Sequence, residues 1–341
     1  MNALDAIEAG DVVRRVGIPC AELSCTPRPG TCSASSPPLL TCPSRFVWRG
    51  DLYRTLYDET IRLGIRTRHD KRLVGAQETA DRVIAHFDDG TRATADILVG
   101  TDGIRSTVRT VIDPAAPQPQ YAGLLGFAAQ LTDTGTASTQ DKLHISYGKR
   151  ASFGHLVHDD SSGGWFVNLP HPEPMTLAEA RAVGHEEWLG VLREAFTGDD
   201  RSPAAEMLRR TDPADLLITG PLETMPAVPT WSRGRMVLVG DAVHAASPSS
   251  GQGASQAIES SVQLARCLRD LPYGQAFAAY ERLRRTRVER IIENATRTNA
   301  SKAGSRGGSD LKPVNMDWQF THHIDWAAAV DTGAHAGALH A

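Results

Sequence analysis

Residues 236–268 read MVLVGDAVHAASPSSGQGASQAIESSVQLARCL. The unbroken apolar run Met236–Val239 is the pattern of a short strand buried on both faces. It stops at Gly240-Asp241 and gives way to a loop of Pro, Ser and Gly. Beyond the loop Ala254, Ala257, Ile258, Ser261, Leu264 and Leu268 recur at helical spacing. The segment therefore predicts a buried strand, a tight loop and a helix N-terminus. Ligands of open α/β sheets sit beyond the carboxyl ends of strands. Asp241 is thus placed to accept hydrogen bonds from a sugar-like hydroxyl. The Gly251-Gln252-Gly253 turn offers the free N–H groups of a helix start, which suit an anion or an electron-rich ring edge.

This stretch resembles the GD motif of the flavin-dependent aromatic hydroxylases, the p-hydroxybenzoate hydroxylase-like group A FAD monooxygenases. The family form is GDAAH-x-x-x-P-x-x-GQG-x-N-x-A-x-E-D-A. The chain matches it at Gly240, Asp241, Ala242, His244, Pro248, Gly251, Gln252, Gly253, Ala257 and Glu259. It departs at Ser255, where Asn is usual, and at Ser260, where Asp is usual. The resemblance implies that Asp241 binds the ribityl chain of FAD, and that Pro248, Gly251, Gln252 and Gly253 lie against the isoalloxazine ring. A second segment, residues 95–109, reads ADILVGTDGIRSTVR. Ile97–Val99 is again a buried strand, and Asp96, Asp102, Gly103, Ser106, Val108 and Arg109 fit the family's D-x-x-x-x-x-D-G-x-x-S-x-V-R. Asp102 and Gly103 are implied to contact FAD, and the segment to help NAD(P)H dock. A third match is Arg49-Gly50-Asp51-Leu52, the family's R-x-x-L, whose Arg reaches the flavin. It precedes a helix over Asp51–Leu63 with Leu52, Leu56 and Leu63 on one face and Gly64 as C-cap.

The family also carries a GxGxxG fingerprint in a first βαβ unit, with an acidic residue some 20 positions later for the adenosine ribose. The sequence contains no GxGxxG. Its opening Met1-Asn2-Ala3-Leu4-Asp5-Ala6 is similar to the P-N-A-L-x-A-L helix that follows that unit in the family. About 40–50 residues of the dinucleotide fold are therefore expected to be lacking, and with them the ADP half of the site. The expected fold class is α/β: an FAD-binding, Rossmann-like three-layer domain, N-terminally incomplete, with an inserted, mainly antiparallel β-sheet substrate domain. Residues 1–110 and 230–300 form the first, 111–229 the second, and 301–341 a C-terminal extension that begins as a loop over 301–312. Residues 19–48, rich in Pro, Ser and Cys, are expected to cross to the substrate domain and back. Val83–Phe87 and Thr91–Ala95 flank Asp88-Asp89-Gly90, a hairpin signal. Thr176–Phe196 and Phe277–Arg297 read as helices, the charge run Arg282–Arg290 as a solvated face.

At 341 residues the chain can hold two domains. A net charge of −4 gives no footprint for nucleic acid. No apolar run reaches membrane-spanning length, and no signal layout precedes Asp5 and Glu8, so a cytoplasmic protein is expected. Cys20, Cys25, Cys32 and Cys42 cluster without a CxxC and are read as reduced thiols on a loop, with no metal site. His322-His323 reads as a surface pair, and His244 as a residue that orders its loop. By the resemblance, the chemistry is hydroxylation of a small aromatic substrate by O2 through a flavin C4a-hydroperoxide, with FAD as cofactor and NAD(P)H as co-substrate. No residue is singled out as catalytic. Strand alternation gives Phe127, His144, Tyr147, His155, Trp165 and Asn168 as pocket candidates. The alternative is a pseudoenzyme that keeps the sheet as a small-molecule binding or partner-interaction module.

Overall fold

The computed structural model describes residues 2–20, 22–26, 44–198, 202–303 and 317–331. The chain begins with two helices, α1 (Asn2–Asp5) and α2 (Gly10–Val16), and a strand, β1 (Ile18–Cys20). Strand β2 (Glu22–Thr26) leaves for the far sheet, and β3 (Ser44–Phe46) returns to pair antiparallel with β1. Cys32, Cys42 and the side chain of Cys25 lie outside the described residues. Helix α3 (Arg49–Arg62) follows, and Gly64 turns the chain at φ +71°, a left-handed conformation that glycine adopts without a Cβ penalty. Leu52 and Leu56 pack beside Val13 of α2. Leu63 does not join them: it follows the last helical residue and is 59% exposed. A meander, β4 (Leu73–Glu78), β5 (Val83–Phe87) and β6 (Arg92–Ala95), contains the expected hairpin, with Gly90 at φ +80°. Strand β7 (Leu98–Gly100) and helix α4 (Thr107–Ile112) complete this half.

The second half is one large sheet. Its strands are β8 (Gln120–Leu131), β9 (Lys142–Tyr147), β10 (Ser152–Val157), β11 (Gly163–Pro170) and β12 (Leu217–Thr224), ordered β12-β8-β11-β10-β9-β2. Every neighbouring pair is antiparallel except β2 with β9. Between β11 and β12 run α5 (Leu177–Val183), α6 (His185–Ala195) and α7 (Ala204–Arg210). The single helix expected over Thr176–Phe196 is broken at Gly184, whose φ of +97° is incompatible with a helix. These helices cover one face: Trp188, Leu189, Leu192 and Phe196 pack on Phe127, Phe153, Trp165 and Val167.

The chain then returns through β13 (Ser232–Arg233) and β14 (Met236–Leu238), the short α8 (Asp241–His244), α9 (Gly253–Asp270) and α10 (Tyr273–Lys302). Strand β14 lies parallel to β7, with Leu238 opposite Gly100. Its three residues are all buried in a core that also takes Trp231, Phe277 and Tyr280. Helix α10 runs through Ser301 and Lys302, so the loop expected from 301 starts beyond the helix, and 304–312 lie outside the described residues. After α11 (Asp317–Phe320), the segment to residue 331 lies along α9: Arg266 donates to the Ala328 carbonyl at 3.0 Å, and Val330 enters the core. Among the described residues no helix is long and apolar enough to cross a membrane.

Candidate active site

The site is built where the paired strands β7 and β14 end side by side. Gly240 follows β14 at φ +64°, ψ −139°, and a Cβ there would stand 3.1 Å from the Ala257 Cβ. Glycine is therefore required both by the backbone angle and by the close passage of α9. The turn sends the chain into α8, with Asp241 as its first residue. Asp241 reaches solvent, yet the surrounding protein pushes its carboxyl above the ordinary carboxylate value, while Arg49 acts in the opposite direction. Arg49 thus lies within electrostatic reach of Asp241, without an ion pair between them. Gly251 adopts φ +62°, and nothing lies within 4 Å of the position a Cβ would take at Gly103, Gly251 or Gly253. These backbones face open space, and Gly251 and Gly253 adjoin the first turn of α9, where N–H groups lack intrahelical partners.

Asp102 and Gln252 are engaged by the protein's own groups. Asp102 uses both carboxylate oxygens to start α4: Oδ2 accepts from the Thr107 and Val108 N–H groups at 2.7 and 3.1 Å, and Oδ1 accepts from Ser106 Oγ. At this motif the Gly103 backbone faces open space. Gln252 is buried, and its Oε1 accepts from Gln256 Nε2 at 3.4 Å. Pro248 is exposed and opens the short turn Pro248–Ser250. Arg109 ties the two motifs together: a buried residue of α4, it donates to the carbonyls of Ala242 at 2.9 Å and Ile104 at 2.8 Å.

Behind the loop lies a buried polar network that charge patterning alone misreads. Arg284, within the run expected to be solvated, is fully buried and donates to Glu259 at 2.7 Å, Gln256 at 2.6 Å and Ser260 at 3.2 Å. Arg287 adds a second cation to Glu259 at 2.9 Å. Burial would raise the Glu259 carboxyl, but its bonds to the two arginines outweigh burial and hold it below the usual range. The buried face of α9 is accordingly Gln256, Ser260, Gln263 and Leu264, whereas Ala254 and Ser261 of the expected stripe are exposed. His244 bonds Ser260 at 2.9 Å, and burial pushes its pKa down to about 3, so it stays neutral and orders the loop.

The sheet presents its other face to this loop. Phe127, His144, His155 and Trp165 are not on it: they share the helix-covered face, where Phe127 meets the Trp188 ring at 4.9 Å and Trp165 Nε1 donates to Thr211 at 3.0 Å. Alternation cannot tell which of two faces a domain's own helices will cover. Tyr147 and Asn168 do point toward the cofactor half, since both register with Ser152. Residues not anticipated there are Trp48, Phe166 and Lys302. A Cβ at Gly164 would strike Trp48, and one at Gly154 would strike the Phe166 ring, so both rings rest directly on the sheet. Lys302, at the end of α10, reaches Asn168 Oδ1 at 2.6 Å and Ser249 Oγ at 3.1 Å. Helical spacing of Ala295, Asn299 and Lys302, all buried, was the available signal.

Residues 224–295 match the family model described as "FAD binding domain". The chain is similar to 6-hydroxynicotinate 3-monooxygenase of Pseudomonas fluorescens, 32% identical over 270 residues, covering 74% of this chain and 66% of that protein. It is also similar to aurachin C monooxygenase/isomerase of Stigmatella aurantiaca, 30% identical over 242 residues, covering 70% and 57% respectively. It thus spans less than two thirds of the length of these relatives. The fold matches the crystal structure of Klebsiella pneumoniae HpxO complexed with FAD and uric acid at TM-score 0.78 and 21% identity, over 93% of this chain and 80% of that one. It matches CtdE in complex with FAD and substrate at TM-score 0.76 and 19% identity, over 94% and 84%. The architecture is that of an FAD-binding α/β domain joined to a β substrate domain. With the strand, loop and helix around Asp241 inside the matched family segment, the chain belongs to the group A flavin-dependent aromatic hydroxylase family.

Proposed function

We propose that this chain carries the flavin-ring and substrate-facing parts of an FAD-dependent, NAD(P)H-using monooxygenase that hydroxylates a small aromatic compound. What supports the reading is topology: Gly103 and Asp241 follow the parallel-paired strands β7 and β14, Arg49 acts electrostatically on Asp241, the backbones of Gly103, Gly251 and Gly253 face open space, and the sheet face joined to α10 through Asn168 also bears Trp48 and Phe166. These residues fit the ribityl and ring end of FAD. Asp241 is an acceptor for ribityl hydroxyls, Arg49 a cation beside it, and the glycines leave room for a flat ring against bare backbone. When bound, the flavin supplies the redox chemistry that lets a nicotinamide and O2 oxidise an aromatic ring. This chain's residues bind the ring system, orient the aromatic compound over it and exclude water with the sheet and its rings.

The pyrophosphate end has no such cradle among the described residues. Strand β7 is an edge strand of its sheet, with Val99 37% exposed, and no GxGxxG exists in the sequence. Each missing charge-assisted bond to pyrophosphate is worth about 1.5–3 kcal/mol, so loss of two or three weakens FAD by several powers of ten. The 341-residue chain alone is expected to leave gel filtration with added FAD colourless and to oxidise NAD(P)H negligibly. The function itself is tested by joining a GxGxxG βαβ unit ahead of Met1. Aromatic-stimulated oxygen uptake with a hydroxylated product supports the reading; a yellow fusion that only makes hydrogen peroxide with every aromatic compound offered contradicts it. The second reading is a non-catalytic small-molecule binding or partner-interaction module that uses the sheet face bearing Trp48 and Phe166. A fusion that stays colourless supports that one instead.

A further inference from the structure

Arginines of α9 and α10 hold the C-terminal segment by its main-chain carbonyls. Arg266 donates to Ala328 and Ala329 at 3.0 Å, Arg269 to Trp326 and Ala328, and Arg282 to Asp331. Arg287 holds the start of the segment, at α11. It donates to the Trp318 carbonyl at 2.9 Å and the Gln319 carbonyl at 2.8 Å. Trp318 Nε1 and Gln319 Oε1 are buried without a hydrogen bond, so these side-chain atoms do not seat α11. What adds to the two carbonyls is the Trp318 ring, which the Arg290 guanidinium covers at 3.9 Å.

Arg287 differs from the other three in what its remaining N–H groups do. Nε and Nη2 bond the two carboxylate oxygens of Glu259 at 2.9 and 3.1 Å. A guanidinium is a rigid plane, so the bonds on one side fix the direction of those on the other. From Glu259 the contacts run on to the flavin loop. Its Oε2 accepts from Arg284 at 2.7 Å, Arg284 donates to Gln256 Oε1 at 2.6 Å, and Gln256 Nε2 donates to Gln252 Oε1 at 3.4 Å. Gln252 is the middle residue of the Gly251-Gln252-Gly253 turn. Burial disfavours the charge on Glu259, and the hydrogen bond from Arg287 is the largest cause that favours it. The residue that seats α11 is therefore also the main support of the carboxylate on which the buried network is centred.

We propose that Arg287 is a positioning residue through which the seating of α11 sets the geometry of the Gly251-Gln252-Gly253 turn. The C-terminal segment thereby controls the turn from outside the strand, loop and helix that carry the motif. The coupling is reciprocal, so whatever fixes the turn also tightens α11. Its bearing on the flavin rests on the reading above, whereas the coupling itself is a property of the chain without ligand.

The test is amide hydrogen exchange, read by NMR on the 341-residue chain without flavin. The Gly251, Gln252 and Gln256 amides are hydrogen-bonded in the native turn and report its opening, while those of Leu238 and Val239 report the core strand. Arg287→Met breaks the joint, Trp318→Ala loosens α11 without changing the network, and Arg266→Met loosens the far end of the segment. The first two are each expected to speed exchange in the turn by about tenfold or more, with the core strand unmoved. Trp318→Phe should restore the native rates. Arg266→Met should leave the turn within about twofold of native, as a site with no shared partner does. An unmoved turn in Trp318→Ala or in Arg287→Met overturns the proposal, as does an equal acceleration by Arg266→Met. Parallel acceleration of turn and core strand also overturns it, since a loss of global stability alone gives that. Should Arg287→Met fail to fold, Trp318→Ala still decides, because it trims a half-buried ring outside the network. Riboflavin fluorescence quenching by the native chain separates the two readings. No binding of riboflavin would sink the flavin reading and leave the coupling standing, and binding beside an unmoved turn would do the reverse.

Discussion

The loop after β14 and the outer edge of β7 lie at the same end of one sheet and are finished in opposite ways. Behind the loop, Arg284, Glu259, Gln256, Ser260 and His244 form a closed network in which a fully buried guanidinium meets a carboxylate, an amide and a hydroxyl. At the edge, Val99 is 37% exposed; helix α3, packed on α2, likewise buries none of its residues completely and leaves Tyr53 at 63% and Ile61 at 50%. The contrast teaches that a dinucleotide site divides into separately specified parts. On the proposed reading, the ring and ribityl part is encoded in one strand, loop and helix with its own buried support. The pyrophosphate part depends on a different glycine loop at a strand end.

If the network holds the loop, breaking it should cost far more than breaking an ion pair on the exposed meander. Arg284→Ala leaves part of the Glu259 charge buried and is expected to destabilise by about 3–5 kcal/mol in urea denaturation. Arg82, paired with Asp96 at 2.8 Å on the surface, should cost at most about 1 kcal/mol on the same change to Ala. Similar midpoints for the two variants would erase the comparison.

The two halves should also share one acid response. His244 is held neutral by burial at about pKa 3, and His155 by burial at about 4, with the nearby His144 a smaller cause. Both lie below the ordinary histidine value, so the unfolded chain takes up protons that the folded one refuses. Stability is therefore full above about pH 6.5 and falls as pH drops, by about 2 kcal/mol per histidine between pH 7 and pH 5. His244→Gln should halve the slope of unfolding free energy against pH in that window. An unchanged slope would mean that His244 is protonated in the folded protein.

The smallest expected effect sharpens the role of the turn. Gly240→Ala must adopt φ +64° and approach Ala257, at a cost of about 1–3 kcal/mol. The same change at Gly253, where nothing lies within 4 Å, should leave the melting temperature nearly unchanged. A larger loss at Gly253 would contradict the open space assigned to it.

Much of this site was legible because its signals are local. An unbroken apolar strand, Gly-Asp and a Gly-Gln-Gly helix start lie within a few turns of chain, and their order alone implies a ligand at the strand end. What sequence reading missed depends on partners distant in sequence. Arg284 looks solvated until Glu259 of another helix is seen to face it. Phe127 and Trp165 look like pocket residues until α6 and α7 are known to cover their face. Lys302 was assigned to a loop because polar Ser301 and a glycine-rich run follow Asn299, although the helical spacing continues to it.

The central proposal is that the ring and ribityl part of the flavin site is built around Asp241, while the described residues offer no cradle for the pyrophosphate. It is tested most directly by fluorescence-quenching titration of riboflavin and FAD with the native chain and with Asp241→Ala. The account predicts weak and nearly equal affinities for the two flavins, since the adenylate finds no cradle. It also predicts that Asp241→Ala weakens both by about tenfold or more, the loss of charge-assisted hydroxyl bonds. FAD binding at least about a hundredfold tighter than riboflavin, a difference of some 2.8 kcal/mol, or an Asp241→Ala chain with native affinity for both, would contradict it.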